Sequence, residues 1–354
     1  MPARRSFLVG LLSAGLAPRL SWADAGSPAF LSAARTPAGR YVLCGLSEAG
    51  SISFQIPIPD RGHAAAAHPT KPQAVAFARR PGTFALVVNC ATGEVDQRLY
   101  APEGRHFYGH GAFAEGGDIL LTTENDYEAG RGMLGLWDAR NGYARMGEIT
   151  SGGVGPHDMK LMSDGRLAVA NGGIETHPET GRTKLNLATM QPNLSYVSLD
   201  GVVSEVVELN PALRRNSIRH LAVDGRDRVG MAMQWQGDVA DSVPLVAVHD
   251  ARTGKLMLGA AQDQRSLLGY AGSIAMAGET VAVTSPKGGI AQTYSLEDFG
   301  LLNQVERPDI CGVAAIGAEY VTTTGSGLFE NHSGRPKRTQ TRLNWDNHLV
   351  SLVS

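Results

Sequence analysis

Cysteine, cationic excess and long apolar runs are all scarce in this chain, and each shortage closes off a class of protein. Only Cys44, Cys90 and Cys311 occur in 354 residues, far apart and odd in number. No disulfide framework is legible in them, and at most one pair could form. The 32 lysines and arginines are offset by 34 aspartates and glutamates, for a net charge of -2. Such a balance offers no broad cationic surface to nucleic acid. Beyond Leu16 no apolar run approaches the roughly 18 residues needed to span a membrane. Long stretches with helical spacing of apolar residues are rare, which argues against a helical bundle. A Gly-x-Ser-x-Gly elbow is missing as well, and serine hydrolysis of that kind is disfavoured.

What is present begins with MPARRSFLVGLLSAGLAPRLSWADA, which joins Arg4-Arg5 to an apolar stretch from Phe7 to Leu16 and then to Ala23-Asp24-Ala25. That order predicts an export signal over residues 1–25. Arg4-Arg5-Ser6-Phe7-Leu8 resembles the twin-arginine motif, whose pathway moves folded proteins. One domain over residues 26–354 would then remain, in the periplasm. Its 43% hydrophobic composition is ample for a large core.

The 43 glycines punctuate a sentence that recurs along the chain. GHGAFAEGGDILLTTEND from Gly109, PHDMKLMSDGRLAVANGG from Pro156, RHLAVDGRDRVGMAMQW from Arg219, GSIAMAGETVAVTS from Gly272 and CGVAAIGAEYVTTTGSG from Cys311 share one plan. Each holds a short apolar strand, a glycine turn and a second strand, and Asp-x-x-x-Gly turns lead on to further strands. Less regular units start near Phe30 and His63, which makes seven. Four antiparallel strands repeated at roughly 40 to 60 residues predict an all-β, seven-bladed β-propeller. The terminal NHLVSLVS would form a late strand of the last blade or close the ring against the first.

Alignment of the first strand of each unit brings His63, His110, His157 and His220 to one position, with Cys311 beside them. Ser32 and either Gly272 or Ser273 occupy the remaining two, without an imidazole. First strands line the channel of a propeller, so these residues would meet at its mouth. Neutral imidazole suits copper, iron or zinc, whereas calcium and magnesium prefer oxygen. A ring of this kind would release its metal below about pH 6, as imidazoles protonate near their usual value of about 6.5. Turns on the same rim carry Arg79, Arg80, Glu124, Asp126, Gln234 and Lys287, and His106 and His177 are outer-shell candidates. His68, His249, His332 and His348 read as ordinary loop or strand residues.

HPTKPQAVAFARRPG from His68, FYGHGAF with TTENDYEAGRG, GPHDMKLMSDGRLAVANGGIETHPETGR, SIRHLAVDG, VAVTSPKGG and CGVAA together resemble one family. It is an uncharacterised family of twin-arginine-exported periplasmic β-propellers, encoded beside imelysin-type iron-uptake proteins and a di-haem peroxidase-like protein. The resemblance covers essentially the whole mature chain. It implies a propeller that works in iron acquisition, with imelysin-type proteins as partners, and it supplies no known catalytic residues. Two functions follow as expectations. The first is a non-enzymatic metal-binding or docking component of iron uptake. The alternative is a periplasmic metalloenzyme, performing either a redox step or lactonase-like hydrolysis.

Overall fold

The computed structural model describes residues 20–79, 82–181, 183–334 and 336–352. Arg4-Arg5 and the apolar stretch of the predicted signal lie outside these, as does Arg80. Seven four-stranded antiparallel sheets form the chain, and together they make a seven-bladed β-propeller. Among the described residues, helix is confined to single 3-10 turns such as Pro178–Thr180.

Burial changes across a blade in step with the sequence. Middle strands such as Leu167–Asn171 and Asn193–Val197 are buried at every position, because neighbouring blades cover both faces. Outermost strands such as Val203–Glu208 alternate between half-buried and exposed, since one face meets water. Innermost strands crowd around the axis and use small residues, as in Gly62–Ala67 and Ser273–Ala277. The core is therefore distributed between blades. Phe77, Val87, Phe107 and Leu120, for instance, fill the join between the second and third blades.

Ring closure decides which residues reach the axis. The sheet containing Phe30–Arg35, Tyr41–Leu46 and Ile52–Ile58 has the C-terminal strand Asn344–Ser351 as its innermost member. Residues 347–351 of NHLVSLVS thus close the ring against the first blade, one of its two expected placements, and Val353 and Ser354 lie outside the described residues. Ser32 consequently sits on a second strand, away from the mouth, where its hydroxyl donates to the His348 carbonyl at 2.8 Å. Trp345 and Leu349 seal this closure together with Phe30, Val321 and Phe329 of the first and seventh blades.

Closure of this kind concentrates stability in eight residues. Trp345 and Leu349 are both buried, and each such side chain contributes about 1.5–3 kcal/mol. The ladder to Phe30–Arg35 is lost with them, from a total stability of only about 5–15 kcal/mol. A chain ending at Leu343 is expected to lose its cooperative thermal transition by circular dichroism. A truncated chain that melts like the full one would show that closure is dispensable.

Candidate metal centre

Five histidines, not four, meet from innermost strands, and each lies where that strand slips against its neighbour. Gly62 pairs with Ala78 but Ala65 with Ala76, so the extra residue falls at His63. Equivalent slips lie between Phe107 and Gly111 around His110, between Pro156 and Asp158 around His157, and between Ile218 and His220. On the closing strand the slip falls between Trp345 and Leu349, around His348. A bulge breaks the two-residue alternation and re-aims a side chain. The sixth blade offers the contrast: Ser273–Ala277 keeps a regular ladder and carries no histidine.

The rings converge closely. Centroids of His63, His348, His220 and His157 form a closed circuit, with successive separations of 4.5, 4.7, 4.8 and 5.5 Å. His110 meets all four, at 4.9, 4.8, 5.6 and 5.1 Å in the same order. Nitrogens of His63, His110 and His348 lie within 4.8 Å of one another, and so do those of His110, His157 and His220. Opposite ligands on a metal with bonds of about 2.1 Å stand roughly 4.2 Å apart. Both triads therefore approach a metal's dimensions, and they share His110.

Hydrogen bonding leaves this cluster incomplete. Nδ1 of His63, His157 and His220 and Nε2 of His110 and His348 are buried without a hydrogen-bond partner. Buried polar atoms are nearly always paired with protein, water or ligand, so five such nitrogens in one cluster mark a place where a metal or ordered water could bond. Burial, and then the charge of neighbouring histidines, holds His63 and His348 well below the usual imidazole range. Burial followed by Arg219 does the same for His157, and burial followed by His110 for His220. These four rings stay neutral, which is the form that binds metal.

Asp158 orients the shared ring. It is 2% exposed, and its Oδ1 lies 3.1 Å from His110 Nδ1 and 3.2 Å from Lys160 Nζ. Oδ2 accepts the Leu221 amide at 3.0 Å. Burial pushes this carboxyl up, but Lys160 and His110 outweigh it and hold it well below the usual carboxylate range. An ionised carboxylate at Nδ1 keeps the proton on that nitrogen, leaving the Nε2 lone pair of His110 for a ligand.

The histidines divide the channel into two cavities. One, of about 420 Å³, is lined by His110, Asp158, Lys160, His220 and His348 between alanine-rich strand walls. The other, at the mouth, is about 250 Å³ and is lined by His63, His157 and His220 with Arg79, Arg219 and Gln234 among others.

The sequence model of a family described as "Protein of unknown function (DUF1513)" matches residues 56–352. The chain belongs to this family. No curated protein matches it. Among solved structures it is similar to Kuenenia stuttgartiensis hydrazine synthase, at 11% identity with a TM-score of 0.60, covering 89% of this chain and 96% of that one. At such identity the likeness is one of fold alone.

Two expectations for this DUF1513 chain are corrected by the geometry. Cys311 does sit on an innermost strand, but its Sγ faces the Thr323 and Asp346 carbonyls at 3.5 and 3.4 Å and stands outside both histidine groups. Burial pushes its thiol up to about 12, so it is no ready thiolate. His348, read as ordinary, is a full member of the cluster. His68, His249 and His332 do have local partners: the Thr70 and Lys71 amides, the Tyr196 hydroxyl and the Thr322 hydroxyl.

The rim residues separate in the same way. Arg79 and Gln234 line the mouth cavity, and Lys287 lies 4.8 Å over the ring of Tyr270, another wall residue. Glu124 is withdrawn into its blade, where Arg145 binds both of its oxygens at 2.8 Å. Asp126 is held by Arg105 and Arg131. His177 faces Glu128 at 3.3 Å on the outer rim. His106 precedes the bulge, still paired in register with Asn125, and its Nε2 bonds the Asn125 side chain at 2.9 Å. Asp158, Arg219 and Lys184 went unread, although two of them adjoin a ring histidine in sequence. Strand alternation would send adjacent residues to opposite faces, and only the bulges bring both to the site.

Proposed function

We propose that the protein is an exported, periplasmic transition-metal-binding propeller, with copper, iron or zinc held by imidazoles at the channel and partner proteins docked on its rim. One observation carries this reading: five buried imidazole nitrogens without hydrogen-bond partners, gathered within one cluster of rings. All five histidines offer a buried nitrogen that none of the neighbouring protein atoms uses. Two imidazole triads that share His110 suit copper, iron or zinc, all of which take nitrogen ligands.

Export is supported by Arg4-Arg5 before the apolar stretch Phe7–Leu16. Service in iron uptake beside imelysin-type proteins is supported by the family resemblance of strings such as GPHDMKLMSDGRLAVANGG. A second reading, a periplasmic redox metalloenzyme, draws on the mouth cavity that adjoins three of the histidines. A lactonase-like hydrolase is less favoured, because calcium would need oxygen ligands where this cluster offers nitrogen.

Metal-free protein titrated with Cu(II), Zn(II) and Fe(II) is expected to bind about one equivalent, with Cu(II) tightest. His249→Ala should leave that affinity within about threefold, since this ring belongs to a third strand and bonds Tyr196. Metal analysis of protein taken from its own periplasm identifies the resident ion. Failure of all three metals to bind the folded, metal-free protein would overturn the reading.

A further inference from the structure

The channel mouth holds charge that metal binding does not use. Among the described residues that line its cavity of about 250 Å³, Arg79, Lys184 and Arg219 are cationic and Asp346 is the one carboxylate, with Lys184 also donating to Gln236 at 2.5 Å. That carboxylate is already engaged by Arg61 at 2.6 Å, and Arg61 belongs to a neighbouring cavity. The three cations arrive from different blades. Arg79 follows the second strand of its sheet, Lys184 lies in the long loop between Leu167–Asn171 and Asn193–Val197, and Arg219 sits in a bulge beside His220. Arg219 is only 6% exposed, so its charge acts in a poorly solvated place. Its field reaches His157 and His220, and that of Arg79 reaches His63.

Chemistry narrows the occupant. A guanidinium presents a planar fork of donors that matches two oxygens of a carboxylate or phosphate. Neutral imidazoles form the floor, and the one carboxylate in the wall is engaged elsewhere, so a cationic guest would find no counter-charge. Pockets for drug-sized ligands run to roughly 300–1,000 Å³, and this one is smaller. We propose that the mouth cavity binds a small oxyanion, a carboxylate or phosphate of a few heavy atoms, directly over the histidine cluster. Its contact with a metal rests on the reading above, whereas its capture by Arg219 and Lys184 does not. With a metal in place, each ligand strengthens the other by the same factor.

Malonate and inorganic phosphate, titrated separately into metal-free full-length protein by calorimetry, resolve the two sources of oxyanion. At least one should bind, and the tighter of the two names the class. Arg219→Gln should weaken it about tenfold or more, as expected for loss of a charged hydrogen bond. Lys184 is exposed, so Lys184→Gln tests the same site without risk to the core, with an expected loss of about threefold. Absence of binding below about 10 mM, or unchanged affinity in both variants, overturns the proposal. A second arm uses Cu(II)-loaded protein and azide, which should shift the visible copper absorption at lower concentration in wild type than in Lys184→Gln. Malonate or phosphate binding by a protein that takes up no copper would sink the metal reading and leave the anion site standing. Copper uptake with no response to any of the three anions would do the reverse.

Discussion

His110→Ala is expected to lower Cu(II) affinity by more than about a hundredfold, because this ring belongs to both nitrogen triads and touches all four other histidines. His348→Ala removes one triad only and should cost about tenfold. Asp158→Asn keeps the shape of the side chain but gives up the negative charge at His110 Nδ1, and changes of that kind typically cost about 10- to 100-fold. Competition against a chelator of known affinity ranks the three. Thermal melts of the metal-free variants separate lost ligands from lost fold. If His110→Ala and His348→Ala both bind copper like the wild type, the metal lies elsewhere and the cluster serves packing alone.

That ranking depends on features that differ in how openly the sequence displays them. Blade number was readable, since each unit repeats a glycine turn between apolar strands. Four ring histidines were readable for a related reason: they recur at one place in the repeat. His348 broke the pattern because its strand is separated from the rest of its blade by nearly the whole chain, and only ring closure supplies the register with Phe30–Arg35. Cys311 erred in the opposite direction. It occupies the repeat position and even lies in a slipped ladder, between Ile310 and Val313. Its side chain nevertheless turns into the packing between blades, where Phe30, Cys44 and Trp345 surround it. Position in a repeat fixes where the backbone passes, and the bulge decides which way the side chain leaves it.

The rim shows the same limit. Glu124 and Asp126 looked like exposed loop charges next to a turn, but Ile119–Asp126 is a strand buried almost throughout. Arginines from the other three strands of that blade pair with both carboxylates. Charge that a sequence offers to a ligand is often consumed within the fold. Arg79 lines the mouth cavity together with His63.

Acid should unfold the metal-free protein earlier than its carboxylates require. His63, His157, His220 and His348 are held below their ordinary values, chiefly by burial. Below about pH 6.5 the unfolded chain binds protons that the folded chain refuses, so stability falls as pH falls. Each such histidine costs about 1.4 kcal/mol per pH unit until its folded value is reached, or roughly 5 kcal/mol per unit for four together. Asp158 acts in a separate window: its depressed carboxyl gives stability that is present above about pH 3.9 and lost beneath it. Denaturant midpoints measured between about pH 7.5 and about pH 5 should therefore drop steeply, and the double variant His157→Gln, His220→Gln should show about half the slope. Metal affinity follows the same depressed values, so it should stay flat through about pH 6 and fall only at lower pH, later than four exposed imidazoles would predict. Bound metal adds stability, but the unfolded chain still takes up the same protons, so the loaded protein should show a similar slope from a higher midpoint. A slope identical in wild type and double variant would place the acid sensitivity outside the cluster.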